Sequence, residues 1–171
     1  DYLGFNFYPK SIRFIEKSTC AEITSVLKRE HPQIKLVGVF VNSSVDEVKD
    51  ILRTCSLDLA QLHGDETPEI FAQLAPHAFR AFRGIPESNV GYERNEVPFM
   101  LIDAAVKGVY GGSGVAADWT AAAKLAQQYP LLLAGGLTPE NVADAVGRVK
   151  PWGVDVASGV ESAPGEKDAG K

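Results

Sequence analysis

The chain has 171 residues, 45% hydrophobic and 23% charged, the composition of an ordinary globular domain with material for one core. Its net charge of −5, with no basic run, argues against a nucleic-acid partner or an anionic membrane surface, and no apolar stretch nears the roughly 20 residues a membrane-spanning helix needs. The two cysteines, Cys20 and Cys55, lack metal-ligand spacing and are expected to be free thiols in a reducing, cytoplasmic compartment.

Apolar runs then recur with helical stretches between them. Residues 2–7 read as a strand and 19–30 as a helix. Residues 36–41 are a strand, and 45–53 a helix whose apolar face is Val45, Val48, Ile51 and Leu52. A strand over 57–62 precedes a helix over 68–74, with Thr67 as N-cap and Pro68 at the first position. Residues 79–82 form a short strand, 88–97 a polar loop or weak helix, and 99–103 another strand. Asp118 caps a helix over 119–128. Residues 131–134 are a strand, Thr138 caps and Pro139 opens a helix to about Val149, and 152–156 are the last strand.

Seven short apolar strands separated mostly by helices imply a parallel sheet with helices outside, in one domain spanning 1–171. An open doubly wound sheet is disfavoured, because no Gly-x-Gly-x-x-Gly follows the first strand. A (β/α)8 barrel fits, with seven of its eight strands present, so the chain is expected to be an incomplete barrel trimmed at both ends.

In a barrel the C-terminal strand ends build the site. Those ends carry Lys10 and Arg13, then His63, then Asp103, then a glycine-rich loop 111–114 containing Gly112, then Gly135-Gly136 and finally Ser158-Gly159. The last two pairs end strands and are expected to run into helix starts. Two such ends side by side make a cup of backbone N–H groups suited to phosphate, and in a (β/α)8 barrel that cup follows the seventh and eighth strands. The glycine loop is expected to be a flap over the site. Asp155, inside the last strand, reads as an interior hydrogen-bond partner, with a second polar group at the site as the alternative, and Glu161 as a first-turn carboxylate facing a helix dipole.

The strings GFNFYPKSIRFI, GVFVN, QLHGDE, LIDA, GGSG with DW, LAGGLTPENV, and GVDVASGVE with PGEKD stand in order along nearly the whole chain. Singly weak and jointly specific, they resemble the phosphoribosylanthranilate isomerase family. Ile12, Ser113, Ala117 and Ala157 depart from the family's usual residues without touching the glycine pairs.

The resemblance implies a (β/α)8 fold and an Amadori rearrangement of N-(5-phosphoribosyl)anthranilate in tryptophan biosynthesis. Asp103 matches the family's general acid, and Arg13 the residue that holds the anthranilate carboxylate, for which a planar guanidinium fork suits well. His63 would touch the substrate or orient a neighbour, and Lys10 would be a rim charge. Gly112, Gly135, Gly136, Ser158 and Gly159 would line the substrate and its phosphate. The family's base is a Cys at the end of the first barrel strand. Neither Cys20 nor Cys55 matches it, so this stretch is expected to be inactive without upstream sequence. No cofactor or metal is called for, because the substrate's iminium nitrogen is itself the electron sink. The expected partner is a small phosphorylated substrate, and the chain itself a monomer or homodimer. Two alternatives stay open: another phosphate-binding barrel enzyme of the same pathway, and a non-catalytic fragment that binds phosphorylated ligands.

Overall fold

The computed structural model describes residues 1–86, 100–103 and 119–171. Seven strands hydrogen-bond in chain order, β1 (Tyr2–Asn6), β2 (Lys35–Phe40), β3 (Leu59–Leu62), β4 (Ala78–Arg83), β5 (Met100–Asp103), β6 (Leu131–Ala134) and β7 (Gly153–Val154). Helices α1 (Lys17–Glu30), α2 (Val45–Thr54), α3 (Pro68–Leu74), α4 (Trp119–Ala126) and α5 (Val142–Val149) lie between strands. This sequential parallel order is the α/β barrel-type arrangement expected of the sequence. No helix among the described residues is long and apolar enough to cross a membrane. The chain divides into two compact units, Asp1–Arg80 and Ala81–Lys171.

In the first unit, β1, β2 and β3 pair in parallel, with Asn6 opposite Val39 and Val39 opposite Gln61. Their C-terminal ends therefore lie along one edge of the sheet. The core packs Phe5, Phe7, Leu36 and Phe40 against Val48 and Ile51 of α2, and the Phe7 and Phe40 rings stack at 5.4 Å. Helix α2 starts where the sequence signals it: Ser44 Oγ accepts from Glu47 N at 3.2 Å, and Asp46 and Glu47 occupy the first turn. Helix α3 has Pro68 in its first turn as expected, but the Thr67 side chain makes no capping bond. The Thr67 hydroxyl instead holds the nearby Glu69 carboxyl below its usual range. Strand β3 begins at Leu59 rather than Leu57. Asp58 is diverted to the opposite end of the sheet, where its carboxylate takes Leu36 N at 2.8 Å, Lys28 Nζ at 2.6 Å and Lys35 Nζ at 3.5 Å.

In the second unit, β5, β6 and β7 are parallel, with Asp103 opposite Ala134 and Leu133 opposite Val154. Met100, Ile102, Leu131 and Leu133 form the core with Ala145 and Val149 of α5. Two sequence readings are corrected here. Helix α5 begins at Val142, not Pro139, and β7 holds only Gly153 and Val154, not residues 152–156. Asp155 consequently lies beyond the strand and is exposed rather than inside it, and its backbone N donates to Leu133 O at 2.8 Å. An antiparallel hairpin, β8 (Glu161–Ala163) with β9 (Glu166–Lys167), follows and was not anticipated.

Candidate active site

Each unit carries part of the expected site at the C-terminal ends of its strands. In the first, the segment after β1 folds back on itself. Ser11 N donates to Tyr8 O, Phe14 N to Ser11 O, and Ile15 N returns to Asn6 O at 2.9 Å. Arg13 stands in this turn, half-buried, with its backbone N on Ser11 Oγ at 3.1 Å. Ile12 beside it is 67% exposed, so the departure at that position faces solvent.

His63 follows β3. Its backbone N donates to Phe40 O at 2.8 Å, and its Nδ1 lies 3.3 Å from Gln61 Nε2. With the Gln61 amide placed this way its Nε2 donates and Nδ1 accepts, the tautomer that leaves Nε2 facing outward as a donor.

Sequence reasoning missed the pair that holds the strand ends together. Glu66 is 3% exposed, and its two carboxylate oxygens accept from Asn42 N at 2.7 Å and Gly64 N at 2.9 Å. Asn42 Oδ1 in turn accepts from Asp65 N at 2.7 Å. The ends of β2 and β3 are thus clamped by one buried carboxylate. Both residues close strings already singled out, GVFVN and QLHGDE, and that was the available signal.

In the second unit, Asp103 ends β5, half-buried, and its carbonyl accepts from Gly84 N at 2.9 Å. The register with Ala134 places it one residue from Gly135 on the neighbouring strand. Gly135 and Gly136 have φ of +98° and +64°, conformations that favour glycine. Asn141 secures the loop they open, accepting from Thr138 N and donating to Gly136 O, each at 2.9 Å. Ser158 and Gly159 lie in a three-residue 3-10 turn, Ser158–Val160. A Cβ on Gly159 would collide with the Leu137 carbonyl, so the two glycine-ended loops touch backbone to backbone.

The pairing of the two loops is as read from the sequence, but their helix starts are not. Helix α5 begins well after Gly136, and the second loop makes only one 3-10 turn. Loop and turn N–H groups, rather than two helix ends, are what an anion would meet here. Glu161 likewise is no first-turn carboxylate: it opens β8, is buried, and pairs with Lys167 Nζ at 3.2 Å. Gly112, the rest of the 111–114 loop, Asp118 and the 88–97 segment lie outside the described residues.

Cys20 and Cys55 are both fully buried, between α1 and the end of α2, with Cys55 Sγ 3.4 Å from Lys17 O. Burial, with the Cys55 thiol alongside, pushes the Cys20 thiol up to about 12. Neither stands at a C-terminal strand end.

A family model for N-(5′-phosphoribosyl)anthranilate isomerase matches residues 1–171. The chain belongs to the phosphoribosylanthranilate isomerase family. The enzyme of Myxococcus xanthus is 46% identical over 175 residues, covering 98% of this chain and 80% of that protein. The crystal structure of the Thermotoga maritima isomerase superposes with a TM-score of 0.82 at 37% identity, covering 98% of this chain and 82% of the other. A further isomerase structure is a complex with reduced 1-(o-carboxyphenylamino)-1-deoxyribulose 5-phosphate. It superposes at 0.79 with 34% identity, covering 98% of this chain and 81% of its own.

Proposed function

We propose that this protein catalyses the Amadori rearrangement of N-(5-phosphoribosyl)anthranilate to 1-(2-carboxyphenylamino)-1-deoxyribulose 5-phosphate, a step of tryptophan biosynthesis, in the cytoplasm. Family membership supports the reaction. The observation that carries the assignment of residues is the register of Asp103 with Ala134, which sets an acid beside the glycine loop that would hold the phosphate.

The chemistry divides into two proton transfers. Asp103 protonates the furanose ring oxygen, the C1–O bond breaks, and the aniline nitrogen's lone pair forms an iminium at C1. A base then removes the C2 proton, the electrons flow into the iminium, and the resulting enolamine tautomerises to the aminoketose. Arg13 takes the anthranilate carboxylate, and the loops at 135–136 and 158–159 take the phosphate. His63 donates to the substrate from the end of β3. The base is neither Cys20 nor Cys55, since both are buried away from the strand ends and the Cys20 thiol is raised.

The test is continuous loss of substrate fluorescence with the full-length gene product and its Asp103→Asn variant. Turnover by the wild type, lowered about 10²- to 10⁴-fold in kcat with KM changed far less, is the expected result. A wild type without turnover refutes the function, and an active Asp103→Asn variant refutes the assignment of the acid.

A further inference from the structure

We propose that Lys167 is a positioning residue for the phosphate end of the substrate; this rests on the phosphate reading of the 158–160 turn given above. The string PGEKD, residues 164–168, has no part in the proton transfers. In the structure it forms the return of the β8–β9 hairpin, with Lys167 opposite Glu161.

The Lys167 ammonium donates to Ala157 O at 2.7 Å and to Glu161 Oε1 at 3.2 Å. Those two residues flank the Ser158–Val160 turn, so one cation spans the turn across its base. Two further bonds tie the same turn to the chain end: Asp168 N donates to Val160 O at 2.9 Å, and Lys171 Nζ to Glu161 O at 2.7 Å.

The bridge has two consequences for an anion. First, the Ala157–Ser158 peptide is trans, and in a planar trans peptide the N–H points opposite the carbonyl. With Ala157 O drawn to Lys167, Ser158 N–H is turned to the other side of the turn, away from the ammonium. Second, the Glu161 side chain is only 5% exposed beside a turn meant for phosphate. The ammonium balances that charge, which would otherwise repel a dianion in a poorly screened setting. Backbone contact between Gly159 and Leu137 passes the same restraint to the 135–136 loop.

Lys167→Met keeps the apolar stem and removes charge and donor, and Lys167→Arg keeps both. In the full-length protein, inorganic phosphate and anthranilate serve as separate competitive probes of the two ends of the site. The Met variant should raise KM and the inhibition constant of inorganic phosphate about tenfold, the scale of one charge-assisted hydrogen bond. Its kcat should stay within about threefold and its anthranilate inhibition should match the wild type. The Arg variant should recover most of the phosphate affinity. Equal phosphate inhibition of the Met variant and wild type overturns the proposal, as does equal weakening of phosphate and anthranilate. If the Met variant does not fold, the Arg variant decides: phosphate affinity within about threefold of wild type supports the bridge, and a tenfold loss overturns it. A wild type that inorganic phosphate does not inhibit removes the phosphate reading itself, and the role of Lys167 with it.

Discussion

Gly159→Ala is the most exacting small change the structure offers. The added methyl would meet the Leu137 carbonyl oxygen head-on, while lying 2.8 Å from the Leu137 carbonyl carbon and 3.1 Å from Thr138 Cα. Carbon atoms rest at about 3.5–4.0 Å, so the two loops must part by roughly 1 Å. All three obstacles are backbone, and no side-chain rotation relieves them. Overpacking of this kind costs about 1–3 kcal/mol. In a chain of 171 residues each kcal/mol lowers Tm by about 2–4 °C, so a fall of roughly 2–12 °C is expected by calorimetry. The functional loss should be larger in proportion. A 1 Å misplacement of binding groups can cost about 100-fold, and here it should appear chiefly as a raised KM and weaker inhibition by inorganic phosphate. A variant whose Tm stays within about 1 °C of wild type, with KM and phosphate inhibition within about twofold, would refute the close apposition of the two loops and its bearing on the ligand.

Glu66→Gln turns one acceptor of a buried bidentate clamp into an amide N–H₂ that faces a backbone N–H, and should cost about 1–3 kcal/mol by urea denaturation; an unchanged midpoint would show that the clamp contributes nothing. Asp58 has burial pushing its carboxyl up, but Leu36 N–H, Lys28 and Lys35 together outweigh it and hold the pKa below the usual Asp value. A depressed folded-state pKa gives stability that is present above the unfolded value near 4 and lost as pH falls through the folded one. Asp58→Asn should therefore be less stable than wild type at pH 7, with the gap closing below about pH 4; a gap independent of pH would contradict this assignment. With Cys20 and Cys55 both buried and the Cys20 thiol pushed up to about 12, an aromatic disulfide reagent at pH 8 should label neither in the folded protein and both after denaturation. Rapid labelling of the native state would place at least one thiol elsewhere.

What was legible in the sequence was what local chemistry decides. The apolar spacing of Val45, Val48, Ile51 and Leu52 marks α2, and an unbroken Leu-Leu-Leu-Ala run marks β6; both elements begin and end within a residue of the reading. Gly135 and Gly136 stand out as a glycine pair ending an apolar strand, and in the structure both take the positive φ that glycine allows. The Thr138-Pro139 signal failed because a competing local arrangement won. Asn141 bridges Thr138 N and Gly136 O, and its own N donates back to Thr138 O, so the segment turns once before the helix begins.

The features that stayed hidden are bonds between residues far apart in the chain. Glu66 meets Asn42 across 24 positions, and no spacing rule connects a carboxylate to a backbone N–H at that remove. Glu161 shows the ambiguity at its sharpest. A carboxylate after Ser-Gly-Val suits the first turn of a helix, where a dipole would stabilise it, and equally suits a lysine six residues on. The two readings differ in one backbone choice, whether the chain continues to coil after Val160 or extends. It extends, because Glu161 pairs with Lys167 in an antiparallel ladder, and the lysine that makes the strand pair also reaches Ala157 O. The charge near the phosphate turn is thus a bridged pair rather than an acid facing a dipole, and removing Lys167 should therefore weaken anion binding.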